Sequence, residues 1–315
     1  MKIVVVGLGA LGTVFATCLK SMGHTVSGLT KEKYINNFKG KKLKIKGVFG
    51  EKETQLDEIF TNTEQIQDRD LDLIIVSVKA YDTQTVINQI KPIIGHNTLV
   101  LLAQNGYGNY EIATSILGKE RVILSRIIFG AKIIETGMAE VTVFADDIII
   151  GQPDKAISEV KLLEIAKVFN EAGLPTRVSQ DVYAILWDKI LYNSALNPLG
   201  AILECNYGSL AEHEETRKIM NKIVEEIFNV AKIKKIKLNW KDYREYLQHF
   251  YEKLVPPTAK HYPSMYYDIK YGKKTEIDAL NGAIVSLAKE VNISVPVNET
   301  ITNLIKAKEN FIKTE

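Results

Sequence analysis

Apolar and polar residues follow two different rhythms along this chain, one in each half. Lys2 to Val6 is a short β-branched run, residues 13–22 carry apolar side chains at helical spacing, and Gly23-His24-Thr25-Val26 reads as a turn into a second strand. Residues 71–78 and 98–103 are nearly continuous apolar runs, the pattern of strands covered on both faces. Helical segments at 83–94 and 110–117 separate the strands, which is the alternation of a parallel, doubly wound α/β sheet. Residues 121–134, 140–144 and 148–150 then read as consecutive strands forming an antiparallel extension, followed by a helix over 158–171 and a last short strand at 176–179. Within the basic cluster G-K-K-L-K-I-K from Gly40, lysines alternate with Leu43 and Ile45, so it reads as a strand with one wet face.

From Asp181 the rhythm becomes helical, with apolar stripes over 211–231, 240–254, 264–271 and 275–291. A boundary near Gln180 therefore divides the chain into a Rossmann-like α/β domain, residues 1–180, and an all-helical domain, residues 181–315. The stretch 185–199, I-L-W-D-K-I-L-Y-N-S-A-L-N-P-L, is apolar around most of a helical circumference, and Pro198 marks a helix end or kink. Lys189, Asn193 and Asn197 recur every four residues on it and so form one polar row. Such a row is either the solvated side of an amphipathic helix or the lining of a cleft that holds a polar ligand. Each asparagine in mid-helix costs roughly a few tenths of a kcal/mol against better helix formers, and ligand recognition is a candidate for what offsets it.

Composition narrows the class. With 315 residues, 46% hydrophobic, 25% charged and a net charge of +2, the chain is that of a globular protein with no bulk pull toward nucleic acid. Cys18 and Cys205 lie far apart and match no metal spacing, which is expected of a reduced, cytoplasmic protein without a metal site. The amino terminus imitates a secretory signal, but Gly7, Gly9 and Gly12 interrupt the apolar run and Thr17 is a poor cleavage residue before Cys18. No uncharged run approaches the roughly 18 residues of a membrane span.

The glycines point to a nucleotide. Gly7-Leu8-Gly9-Ala10-Leu11-Gly12 follows a strand and opens a helix, the setting in which G-x-G-x-x-G binds a dinucleotide. Gly7 permits the turn, Gly9 lets a pyrophosphate approach the backbone, and Gly12 lets helix and strand pack closely, with the helix N-terminus facing the anion. Where an NAD-binding protein places an acid at the end of the second strand, this chain reads T-K-E-K. Lys31 and Lys33 suit a 2′-phosphate, favouring NADP(H), while Glu32 keeps NAD(H) open. Lys79 and Asn105 stand at the carboxyl ends of the next strands, where ligands sit in open α/β sheets, although a capping lysine and a turn asparagine are their ordinary roles. In the second half, Thr275 and Glu276 mark a helix start, and Asn281-Gly282 inside a helix implies close packing or a backbone ligand.

Taken with V-K-A-Y at Val78, Q-N-G-Y-G-N at Gln104, S-M-Y-Y-D at Ser264 and G-K-K-T-E-I-D-A-L-N-G at Gly272, these motifs make the whole chain resemble the ketopantoate reductase family. That resemblance implies reduction of 2-dehydropantoate to (R)-pantoate with NADPH, in pantothenate synthesis, by a Rossmann domain joined to a helical domain like that of 6-phosphogluconate dehydrogenase. It makes Lys189 the general acid and sets Asn193, Asn197 and Ser264 against the substrate. Asn105 would lie between substrate and cofactor. Lys31, Lys79 and Ala131 would touch the cofactor, and Glu276 would stand beside the nicotinamide ribose and Lys189. Two positions depart from the family pattern. The segment C-N-Y-G-S-L puts Tyr207 where the family has a substrate-contacting asparagine, displacing Asn206 by one. Arg126 stands where small or hydroxyl residues are common and is read as an outward surface arginine, in preference to one facing a carboxylate. Two alternatives remain. One is a D-2-hydroxy acid dehydrogenase on the same scaffold, favoured by Tyr207 and Glu32; the other is a non-catalytic cofactor-binding regulator. Monomer and homodimer are both open.

Overall fold

The computed structural model describes residues 1–312, and the chain divides into two compact units. The first comprises Met1–Asn105 and Asn109–Tyr183, and the second comprises Gly106–Gly108 and the chain from Ala184 onward. In chain order the first unit contains β1 (Lys2–Val6), α1 (Ala10–Ser21), β2 (Thr25–Leu29), α2 (Glu32–Ile35), β3 (Lys42–Gly47), β4 (Lys52–Gln55) and β5 (Ile59–Phe60). It continues with β6 (Leu73–Val76), α3 (Thr83–Ile90), β7 (Leu99–Leu102), α4 (Asn109–Leu117), β8 (Val122–Arg126), β9 (Phe129–Glu135), β10 (Met138–Phe144), β11 (Ile148–Gly151), α5 (Glu159–Glu171) and β12 (Thr176–Val178).

Among the described residues these strands form two sheets. The larger has eight strands in the order β12-β11-β8-β7-β6-β1-β2-β5. Its six strands from β8 to β5 are parallel, and the order of connection reverses between β1 and β6, which makes a doubly wound sheet with its switch point at the end of β1. Parallel strands need both faces covered, and β6 and β7 are accordingly buried at every residue. The expected antiparallel extension is only partly one sheet. β11 runs antiparallel to β8, but the segment 121–134 breaks after Arg126, and β9 pairs with β10 in a second sheet of order β4-β3-β10-β9. That sheet packs on α1, whose residues from Gly12 to Leu19 are all buried. Phe15 lies at the centre, its ring centroid 6.2 Å from that of Phe129 and 5.6 Å from that of Phe169.

Arg126 corrects one expectation. It is 4% exposed, and its guanidinium donates to Asp146 Oδ2 at 2.6 Å and to the Asp147 carbonyl at 3.3 Å. Arg126 ends β8, a strand buried at every residue, and the acidic turn ahead of β11 provides the counter-charge that burial of an arginine requires.

The helical unit is built around α6 (Val182–Leu203), followed by α7 (Tyr207–Glu212), α8 (Glu214–Ile233), α9 (Tyr243–His249), α10 (Ser264–Lys270), α11 (Asn281–Glu290) and α12 (Pro296–Ile312). α6 is buried nearly all round, with Trp187, Leu191, Ala195 and Leu196 at 0% exposure. Pro198 does not end it, since the helix runs on to Leu203. The expected helix over 275–291 begins instead as a tight turn, Ile277–Ala279, and restarts as α11 after Leu280. The stripe at 240–254 closes in a π-helical turn, Phe250–Leu254.

Candidate active site

The glycine turn at the end of β1 is held by the protein on two of its three glycines. Gly7 has φ +90°, and a Cβ there would lie 2.8 Å from Val78 Cγ1, so side chains are excluded by both conformation and space. A Cβ on Gly12 would collide with the Gly7 carbonyl oxygen. Gly9 differs: its backbone is extended, nothing lies within 4 Å of where its Cβ would be, and it is the N-cap of α1. The protein's own packing does not require glycine there. A pyrophosphate brought against the backbone at the helix N-terminus does, and the turn therefore fits a dinucleotide. Leu8 is buried below the turn against Gly28, and Ala10 and Leu11 form the first residues of α1.

At the neighbouring strand ends the candidate cofactor residues take up capping positions. Lys31 is the N-cap of α2 and is exposed, with Nζ 2.8 Å from Asp82 Oδ2, and that hydrogen bond raises the lysine above its usual value. Lys79 caps the turn Ala80–Asp82 and is half-buried. Asn105 leaves β7 with its carbonyl accepting from Asn109 Nδ2 at 2.9 Å. Asn109 Oδ1 accepts from Thr83 Oγ1, which in turn accepts from Gln104 Nε2, at 2.7 Å each. This buried chain of amides and a hydroxyl braces the loops after β6 and β7. Ala131 stands on β9 opposite Val141 in the second sheet, packed against the core of the first unit.

In the helical unit, Asn193 and Asn197 are 9% and 7% exposed, so the polar row on α6 is not a solvated face; Lys189, one turn earlier, is half-buried. Asn197 Oδ1 accepts from the Tyr207 hydroxyl at 2.6 Å. Ser264, exposed at the start of α10, follows Pro263, which lies so close to Gly200 of α6 that a Cβ on Gly200 would be 2.8 Å from the proline ring. Glu276 immediately precedes the turn Ile277–Ala279, and Asn281 just beyond it donates to the Ser194 carbonyl of α6 at 3.1 Å. Packing thus draws the Ser264 and Glu276 segments onto the helix that carries the row. Residues 106–108 join this unit too: Tyr107 N donates to the Ala279 carbonyl at 2.8 Å, and its ring lies 5.5 Å from that of Trp187.

Comparison with known proteins decides the family. Residues 3–155 match the family model for ketopantoate reductase PanE/ApbA, and residues 181–309 match the model for its C-terminal part. The chain belongs to the ketopantoate reductase family. It is 50% identical to a 2-dehydropantoate 2-reductase of Aquifex aeolicus over 311 residues, covering 99% of this chain and 98% of that one. It is 33% identical to a protein of the same name from Pyrococcus horikoshii, over 99% and 98% of the two chains. Among solved structures, a ternary complex of D-mandelate dehydrogenase with NADH and anilino(oxo)acetate superposes with a TM-score of 0.87 at 28% identity, covering 99% of this chain and 100% of that one. A PanE/ApbA family ketopantoate reductase from Ralstonia eutropha gives 0.86 at 26%, with the same coverage. The two-part α/β and helical architecture is the family's, and this member is an oxidoreductase whose glycine turn fits a nicotinamide cofactor.

One participant went unmarked by the family motifs. Asp82 as the partner of Lys31 had no signal, because 51 residues separate the two. Asn281 did carry one, as an asparagine-glycine pair at a helical stripe, and its ligand proves to be the backbone of α6. Among the described residues no cluster of three His, Cys, Asp or Glu is disposed to hold a metal ion, and no helix is long and apolar enough to cross a membrane.

Proposed function

We propose that this protein reduces 2-dehydropantoate to pantoate, using NADPH as reductant and Lys189 as proton donor. The observation that carries the reading is the polar row on α6, with Asn193 and Asn197 buried and Lys189 half-buried, in a chain half identical to a 2-dehydropantoate 2-reductase along its whole length. A nicotinamide cofactor held by the glycine turn would supply the hydride for the C2 carbonyl carbon. As negative charge grows on the carbonyl oxygen, the Lys189 ammonium stabilises it and then gives up a proton to it. Asn193 and Asn197 are uncharged donors, suited to orient a carboxylate or hydroxyl without competing with the lysine for charge. The Ser264 hydroxyl serves the same substrate. Glu276 would act as the acidic partner of Lys189 and would serve the nicotinamide ribose.

Binding is assigned to Gly7, Leu8, Gly9, Ala10, Leu11 and Gly12 for the pyrophosphate, with Lys31, Lys79, Asn105 and Ala131 around the rest of the cofactor. Lys31, in place of an acid at the end of β2, supports NADPH over NADH. The substrate domain corresponds to the chain from 181 onward.

The assay is oxidation of NADPH in the presence of 2-dehydropantoate. Turnover is expected, and Lys189→Ala should lower kcat by at least about a hundredfold while NADPH binds nearly as before. Poor turnover of 2-dehydropantoate beside efficient turnover of another 2-keto acid overturns the substrate, and an active Lys189→Ala enzyme overturns the mechanism.

A further inference from the structure

Tyr207 is the first residue of α7 and is 4% exposed. Its backbone N–H donates to the His261 carbonyl at 3.1 Å, and its ring lies between two others, edge-on to Tyr192 at 5.8 Å and tilted to His261 at 5.4 Å. The ring is therefore fixed before its hydroxyl is considered. Asn206, the preceding residue, is spent on the helix itself: its Oδ1 accepts from Ser209 N at 2.9 Å as the N-cap of α7. The Tyr192 hydroxyl is likewise engaged elsewhere, 2.7 Å from Thr258 Oγ1.

The Tyr207 hydroxyl thus has a single partner among the described residues, Asn197 at 2.6 Å. Burial pushes this phenol well above its ordinary value, so it keeps its proton. A buried hydroxyl proton with one neighbour must be donated to that neighbour or be left unsatisfied, and the carboxamide can accept it only through oxygen. That choice orients the whole amide, with Oδ1 turned to Tyr207 and Nδ2 turned away. Nothing among the described residues accepts from Nδ2.

We infer that Tyr207 is a positioning residue that locks the Asn197 carboxamide with its amino group toward the polar face of α6, making that face a surface of donors selective for an acceptor-bearing substrate end such as a carboxylate. With Lys189 and the Asn193 amide on the same row, the arrangement complements the oxygen lone pairs of a 2-oxo carboxylate. An unlocked Asn197 can present its oxygen instead and loses that selectivity. The inference rests on the reading of this row as the substrate site of a 2-keto acid reductase.

The test is a double-mutant cycle of Tyr207→Phe and Asn197→Ala, with kcat/KM measured for 2-dehydropantoate and a panel of other 2-keto acids. Rates are expressed per cofactor-binding site, so that unfolded protein does not enter. Tyr207→Phe keeps the ring and should lower kcat/KM by about tenfold, the scale of one buried hydrogen bond to an orienting group, with the NADPH Kd unchanged. In the Asn197→Ala background the same change should cost less than about twofold, because there is no amide left to orient. Equal losses in both backgrounds, or a loss under about twofold in the parent, overturn the positioning role and leave the reductase reading intact. A parent enzyme that turns over none of the 2-keto acids overturns both.

Discussion

At the scale of single residues, the cofactor end of the site depends on a competition for Lys31. Its ammonium already has a carboxylate, Asp82, at 2.8 Å, and Lys31 is 61% exposed at the side chain, so the pair contributes at most about 1 kcal/mol and is readily exchanged. A ribose 2′-phosphate carries more charge and more acceptors than Asp82 and should displace it. Loss of one such charge-assisted contact is worth about 1.5–3 kcal/mol, roughly ten- to a hundredfold. Lys31→Ala is therefore expected to lower kcat/KM by that factor with NADPH and leave it nearly unchanged with NADH, while Asp82→Asn tightens NADPH. Equal effects on the two cofactors count against Lys31 as a phosphate ligand. The sequence allowed this much to be read because position along a strand–turn–helix unit is local. Likewise, the four-residue spacing of Lys189, Asn193 and Asn197 converts directly into one helical face. Whether the face is wet or buried is not local: it depends on what packs over it, including Tyr207 across the turn into α7. Arg126 shows the same limit, since the counter-charge that its burial requires, Asp146, lies 20 residues further on.

At the scale of elements, α6 contains a proline that ought to break it. Pro198 has no N–H, so the Ser194 carbonyl, four residues earlier, loses its helical donor inside a buried core. Asn281 supplies the substitute. Its Nδ2 donates to Ser194 O at 3.1 Å and also to Asn298 Oδ1 at 3.0 Å, and Asn298 in turn donates to Glu226, whose carboxylate accepts from the N–H groups at the start of α12. One asparagine thus allows the helix to continue to Leu203 and ties α6 to α11 and α12. Asn281→Ala is expected to destabilise the protein by about 1–3 kcal/mol, the cost of leaving buried acceptors unsatisfied. Adding Pro198→Ala should recover part of that loss, since alanine restores the N–H for Ser194. Urea denaturation of the three variants measures this, and a double variant no more stable than Asn281→Ala alone contradicts the account. The sequence marked both Pro198 and Asn281 as unusual, but pairing them requires knowing that 87 residues of chain return Asn281 to the same turn of α6.

At the scale of the molecule, the alternation of apolar strands and helices made the parallel sheet legible, because doubly covered strands are apolar at every position. The second sheet was legible only in part. Lysines alternating with Leu43 and Ile45 identified β3, whereas its parallel pairing with β10 joins segments about ninety residues apart and carries no local signal. The two units also hold their charges differently, and acid should separate them. Burial pushes the Asp57 and Asp146 carboxyls up, but hydrogen bonds from Lys20 and the Val26 N–H to the first, and from Arg126 to the second, outweigh it and leave both below the ordinary value. Lys119 lowers Asp154 in the same way, and all three aspartates belong to the first unit. A carboxyl whose folded value lies below its unfolded value of about 4 stabilises the fold above that pH, and the contribution is lost as pH falls through the folded value. In the second unit Glu204 and Asp242 are depressed too, but both carboxyls lie at the surface, where water and salt weaken the effect. Both tryptophans, Trp187 and Trp240, lie in the second unit, so their fluorescence reports that unit, while far-ultraviolet circular dichroism reports both. On acidification below about pH 4 the dichroism should begin to change before the tryptophan emission does. Asp146→Asn should flatten the earlier transition by removing one of its titrating groups, at the cost of lower stability at neutral pH because Arg126 then lies buried without its counter-charge. Coincident curves in the parent protein are the result that contradicts this division, since they mean that the two units lose their structure as one.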